Sequence, residues 1–166
     1  VNAANNPAAA TESTTSSQPA TLSYVTPTEF VELPSRGRFY PPDHPLHNKE
    51  VIEIRYMTAK DEDILSSQTM LRKGLAIERF LQNIVVDQNI RVNSLLIGDK
   101  NAIMVAARIL GYGKDYKFEY EGEEQEVDLS QLNPIPIDFK KLQKGVNEFS
   151  FKLPYSKRTI TFKLLN

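Results

Sequence analysis

Apolar positions along this chain change period twice, and the changes mark its parts. Residues 50–57 (Glu-Val-Ile-Glu-Ile-Arg-Tyr-Met) alternate, with Ile52, Ile54 and Tyr56 on one face, which predicts a β-strand. Thr58-Ala-Lys-Asp61 then reads as a capping box with Asp in place of the usual Glu. It opens a short helix ending near Ser67, with Asp61, Glu62 and Asp63 in the first turn, where the helix dipole favours acids. Residues 68–74 read as a connector. Ile77, Phe80, Leu81, Ile84 and Val85 recur at three- and four-residue spacing and predict a helix over 75–87. Asp99 reads as the N-cap of a third helix over 100–110. That helix buries Ile103, Ala106, Ala107 and Leu110, its alanines permit close helix approach, and Gly111-Tyr-Gly113 stops it.

From Asp115 the period becomes two. Tyr116, Phe118 and Tyr120 share a strand face, Gly122 lies near the turn, and residues 126–129 return as the partner. Asn133-Pro-Ile-Pro136 is a rigid connector, and residues 140–145 are polar, with one helical turn at most. Residues 149–153 and 159–165 form a last hairpin around Pro154-Tyr-Ser-Lys. The fold class is therefore α+β: a strand with a small cluster of three helices, then antiparallel β-hairpins, behind a disordered N-terminal arm.

The arm is residues 1–22, rich in Ala, Asn, Thr and Ser and almost without large apolar side chains. Such a segment cannot offset the ~1–2 kcal/mol per residue that ordering costs, so it reads as a linker or as an arm that orders on a partner. Residues 23–48 carry Pro27, Pro34, Pro41, Pro42 and Pro45 and read as an extended strap laid over the core rather than a regular element. The strand and helices occupy 49–113 and the hairpins 114–166. Two stretches also look like one unit written twice. Val31-Glu-Leu33-Pro34-Ser35-Arg36-Gly37 with the strand from Ile52 matches Phe151-Lys-Leu153-Pro154-Tyr155-Ser156-Lys157 with the strand from Ile160. The first copy runs on into a helix, so the match predicts a C-terminal part missing after Asn166.

Composition narrows the chemistry. The 166 residues carry a net charge of -1 and no cysteine, which removes disulfides, thiolate metal sites and thiol nucleophiles. A pI near 6.2 does not favour a phosphate-binding surface. His44 and His47 flank Pro45, through which a helix does not readily run, so they read as solvated loop histidines rather than a helical metal pair. No apolar run reaches the ~20 residues of a membrane span, and the N-terminus lacks the basic and apolar regions of a signal peptide. Asp61-Glu62-Asp63 has the simpler task of complementing a dipole, and Glu119 to Glu124 is a charged hairpin tip. Gly111-Tyr-Gly113-Lys114 lacks the spacing and the Ser/Thr of a phosphate loop. No nucleophile, acid–base or metal constellation emerges, so no enzyme activity, cofactor or metal is expected. Arg36 and Arg38 beside Phe39 and Tyr40 suit a protein interface, or else stacking on single-stranded nucleic acid.

Four blocks carry a family resemblance. They are Leu33-Pro34-Ser35-Arg36-Gly37-Arg38-Phe39-Tyr40; Thr58-Ala-Lys-Asp-Glu-Asp-Ile-Leu65; Asp99 with Arg108-Ile-Leu-Gly-Tyr-Gly113-Lys-Asp-Tyr116; and Phe151-Lys-Leu-Pro-Tyr-Ser156 with Thr161-Phe-Lys-Leu-Leu165. In order and spacing, over about residues 30–166, they resemble the baseplate protein family of T-even-type contractile-tailed bacteriophages, which includes a baseplate hub subunit and hub-assembly factors. Relatives with a Cys-x-x-Cys in the hairpin after the third block suggest a zinc knuckle. Here Glu121-Gly-Glu-Glu124 stands in its place, so hairpin packing by Tyr116, Phe118, Tyr120 and Val127 must suffice.

The resemblance implies a structural component of the virion tail baseplate, made in the host cytoplasm and working through contacts with other tail proteins. It implies no enzymatic activity, small-molecule substrate or cofactor. Leu33, Pro34, Arg36, Arg38, Phe39 and Tyr40, with the arm, are the candidate contact residues, because their segment is not expected to form its own core. The alternatives are a transient assembly chaperone absent from the finished particle, and a small nucleic-acid-binding module.

Overall fold

The alternation at 50–57 becomes a strand whose inward side chains, Ile52 and Ile54, are almost fully buried. In the computed structural model, which describes residues 26–132 and 135–166, that strand, β2 (Val51–Arg55), pairs antiparallel with β1 (Thr28–Glu32), placing Val31 opposite Ile52 and Glu29 opposite Ile54. Four helices follow: α1 (Ala59–Ser66), α2 (Gln68–Arg72), α3 (Ala76–Ile84) and α4 (Ile97–Tyr112). Then come two more antiparallel hairpins, β3 (Asp115–Tyr120) with β4 (Glu123–Asp128), and β5 (Phe149–Lys152) with β6 (Thr159–Phe162). The architecture is α+β, a helix cluster followed by hairpins. The expected disordered arm lies outside the described residues, as does the Asn133-Pro134 part of the connector.

Local chemistry explains most boundaries. Thr58 and Asp61 form the capping box of α1. Extended Ser67 separates α1 from α2, so the expected connector is itself a short helix and the cluster has four members among the described residues. On α3 the buried line is Ala76, Phe80 and Ile84, with Leu81 beside it, whereas Ile77 is half exposed. Helix α4 begins at Ile97 with Leu96 as N-cap, so Asp99 is not the expected cap but lies inside the first turn and is buried. Its core face is Asp99, Ile103 and Ala107, one residue per four.

The strap is corrected. Residues 28–32 are a strand, and the segment after it contributes to the core instead of lying over it. Leu33, Phe39, Tyr40 and Leu46 are no more than 4% exposed, and they pack with Ile52, Ile54, Leu81, Ile84, Leu95 and Ile103. Burying side chains of this size stabilises by about 1.5–3 kcal/mol each. The inward positions alternate without a break through Val31, Leu33, Ser35, Gly37 and Phe39. Gly37 is required there. It has φ +67°, and a Cβ on it would run into the backbone of Leu46 and Lys49.

The two similar stretches fold alike. Leu33 N donates to Glu50 O at 2.8 Å, and Leu153 N donates to Arg158 O at 2.8 Å, so each Leu-Pro pair opens the turn of an antiparallel hairpin. Gly37 and its counterpart Lys157 both adopt positive φ. The two differ in cover. Val31, Ile52 and Ile54 are buried, while their counterparts Phe151, Ile160 and Phe162 are about half exposed.

Candidate functional site

The first and third resemblance blocks meet at one carboxylate. Asp99 Oδ1 accepts from Ser35 N (3.0 Å), and Oδ2 accepts from Ser35 Oγ (2.6 Å) and Tyr40 Oη (2.7 Å). Ser35 Oγ in turn accepts from Gly37 N, and Tyr40 Oη from Leu96 N. Burial, followed by the neighbouring Asp99 carboxylate, pushes the Tyr40 hydroxyl far above its usual range. Every polar atom of this cluster has a partner, and it ties the turn after β1 to the first turn of α4. Its task is architectural.

The second block does likewise. Asp61, fully buried, takes a bidentate pair from Arg55 (2.7 and 2.9 Å) and bonds from Thr58 N, Thr58 Oγ1 and Asn83 Nδ2. Burial opposes ionisation of Asp61, but these bonds outweigh it and hold the carboxyl well below its usual range. Asp61 is thus more than a dipole complement. It joins β2, α1 and α3. Glu62 and Asp63 stay at the surface, where Tyr112 Oη donates to Glu62.

The histidines are not simply solvated. His44 stacks on Tyr40 (centroids 4.3 Å apart), its Nδ1 accepts from Leu46 N, and its Nε2 meets Ser94 Oγ at 2.8 Å. An accepting Nδ1 assigns the proton to Nε2, which therefore donates to Ser94. Burial lowers its pKa. His47 Nδ1 meets Tyr40 O at 2.7 Å. Both histidines brace the loop between β1 and β2.

Among the described residues a groove of about 850 Å³ lies open beside this frame. One wall is the end of β1 and its turn, from Val31 to Arg36; the other is formed by Leu129 to Leu132 and by Ile135, Pro136, Ile137 and Phe139; α4 forms the floor. The floor is low because Gly98, Ala102 and Ala106 recur every four residues along one side of α4, with Val105 and Ile109 beside them. At one end Arg36 and Arg38 each place a guanidinium 5.4 Å from the Phe139 ring centre, and Arg38 Nη1 donates to Phe139 O. Phe139 packs on Phe39 in turn.

The expected contact residues therefore separate. Leu33, Phe39 and Tyr40 are corrected: their side chains are buried in this chain's own core and are not free for a partner. Leu33 and Pro34 border the groove, exposed Arg36 stands at its rim, and half-buried Arg38 is held against Phe139. The structure adds Phe139 and the small side of α4. The four-residue spacing of Gly98, Ala102 and Ala106 was the signal that could have revealed the latter.

The β3–β4 hairpin turns tightly through Glu121 and Gly122, both at positive φ. Its residues are largely exposed. Lys114 donates to Asp128 at its base, and that bond, with the Ser130 contacts, holds the Asp128 carboxyl down to about 2. Among the described residues no three His, Asp or Glu side chains converge as metal ligands, and no helix is long and apolar enough to cross a membrane. Comparison with family models, with curated proteins and with solved structures returned no match.

Proposed function

We propose that this protein is a structural component of a contractile phage tail baseplate, a hub subunit that acts through protein–protein contacts during assembly. One observation carries the reading: the open, apolar groove between the β1 turn and α4, with Arg36 at its rim. Leu33, Pro34 and Arg36 stand in one wall and α4, which carries Asp99 in its first turn, forms the floor, so two of the four resemblance blocks contribute to it. The polar residues of those blocks build the frame, and apolar and arginine groups are what they present outward. An apolar groove beside a strand suits an extended apolar segment of a neighbouring protein, with a carboxylate or an aromatic ring on Arg36.

The test fills the groove without touching the frame. Ala102→Trp and the pair Arg36→Ala/Arg38→Ala keep the fold by circular dichroism and reduce the yield of assembled tails at least tenfold in cells that supply the other tail proteins. Mass spectrometry of purified wild-type particles finds the chain. Normal yield with both variants overturns the groove as the contact. Wild-type particles that assemble only when the chain is present yet do not retain it identify a transient assembly chaperone instead.

A further inference from the structure

The two outer hairpins share a design and carry opposite charge. On β3–β4 the cross-strand register places Tyr116, Phe118, Tyr120 and Val127 on one face. On β5–β6 it places Phe149, Phe151, Ile160 and Phe162 on one face, of which Phe149 packs edge-on against Phe39 of the core and the other three stay open. Tyr116, Phe118 and Tyr120 are 42%, 37% and 61% exposed, and Phe151, Ile160 and Phe162 are 53%, 43% and 50% exposed. A two-stranded hairpin with one apolar face is marginal alone and gains by stacking on another. The internal match sharpens this, because the equivalent face of β1–β2 is buried. Residues 114–128 contain two lysines and seven acids, 2 − 7 = −5, whereas residues 149–163 contain three lysines, one arginine and no acid, giving +4.

The hairpins are rooted at opposite ends of α4. β3 follows the C-terminal end directly, where Arg108 lies over the rings of Tyr112 and Tyr116. The chain leaving β6 is tied to the N-terminal end, where Ile97 N donates to Leu165 O at 2.9 Å. Sixteen helical residues separate those roots by about 24 Å at 1.5 Å per residue. One copy therefore presents an acidic aromatic hairpin at one end of α4 and a basic aromatic hairpin at the other.

We infer that the protein associates with a second copy of itself, the apolar face of β3–β4 on one copy stacking on that of β5–β6 on the other. The acidic tip of the first lies against Lys152, Lys157 and Arg158 of the second. The contact is between two different patches, so two copies close reciprocally or several close as a ring. A reciprocal pair uses both hairpins of each copy and doubles the apolar area removed from water. The opposite charges set the orientation and oppose acidic-on-acidic and basic-on-basic pairing. This inference is independent of the groove.

Charge reversal with complementation tests it. Glu119, Glu121 and Glu123 form no ion pair among the described residues, so Glu119→Lys/Glu121→Lys/Glu123→Lys is chosen as one variant. Lys152→Glu/Lys157→Glu/Arg158→Glu is the other, and circular dichroism checks the fold of both. Sedimentation equilibrium of the wild type up to about 100 μM gives a mass that rises with concentration. The apparent Kd weakens at least tenfold when salt is raised from ~0.05 to ~0.5 M. Each variant alone stays monomeric over the same range, and their equimolar mixture associates again. Tyr120→Ser/Phe151→Ser weakens association at least tenfold at either salt. A wild type that stays monomeric throughout overturns the inference and leaves the two faces to a different partner. So do folded variants that associate as the wild type does, or a mixture no heavier than its parts.

Discussion

Asp99→Ala loses about 3–5 kcal/mol of folding stability, read as the difference in unfolding free energy from urea titrations followed by circular dichroism. The substitution strands three donors at once, Ser35 N, Ser35 Oγ and Tyr40 Oη, in a site from which water is excluded. A buried donor without an acceptor costs about 1–3 kcal/mol. Relief from burying a carboxylate offsets part of the sum. Asp99→Asn retains an acceptor oxygen and places an amide beside donors, so it falls between wild type and Asp99→Ala. Tyr40→Phe removes one bond to Asp99 and leaves Leu96 N without its acceptor, a loss of about 1–3 kcal/mol. Because Tyr40 and Asp99 share a network, the double variant costs less than the two single losses together. An Asp99→Ala protein within about 0.5 kcal/mol of wild type, the range of ordinary surface substitutions, shows that the cluster does not hold the β1 turn to α4.

Structure is legible in this sequence where the determining contact is local. Thr58 and Asp61 are three residues apart, and the box they form at the start of α1 follows from that spacing alone. The period-two run from Asp115 places Tyr116, Phe118 and Tyr120 on one face because register within a hairpin follows from its turn. Asp99 is the opposite case. An aspartate shortly after a glycine and before an apolar helix looks like a cap. The donors that redefine it lie 59 and 64 residues away, at Tyr40 and Ser35. Nothing in a window around Asp99 contains them.

The segment after β1 conceals its place in the core for a different reason. Its prolines suggest an irregular segment, yet Val31, Leu33, Ser35, Gly37 and Phe39 carry the inward alternation past Pro34. Leu33 N is the hydrogen-bonded donor to Glu50 O, so the next backbone nitrogen, in Pro34, falls where the ladder needs no donor. The alternation was visible in the sequence, but its small inward members, Ser35 and Gly37, do not register as apolar. The groove was hidden for a related reason: small side chains along α4 matter by what they leave empty, and hydrophobic periodicity counts only what is present.

Asp61→Asn separates from wild type most at neutral pH and converges with it in acid. At pH 7 the wild-type carboxylate holds the two Arg55 bonds and the contacts from Thr58 and Asn83. Breaking a buried pair of this kind costs about 3–5 kcal/mol, because Arg55 keeps its charge without the partner. The sign of the pH dependence follows from the depressed folded-state pKa. Above the unfolded value of about 3.9 both states are ionised and the full stabilisation is present. As pH falls below it, the unfolded chain takes up the proton first, and wild-type stability drops by up to about 1.4 kcal/mol per pH unit toward the folded-state pKa. The variant has no proton to bind at this position. Other carboxylates, Asp128 among them, titrate in both proteins, so the difference between the two isolates Asp61. Urea unfolding at pH 7 and pH 3 measures it. A gap of equal size at both values means that the Arg55 pair adds nothing through ionisation, and that Asp61 acts as a hydrogen-bonding shape that asparagine cannot copy.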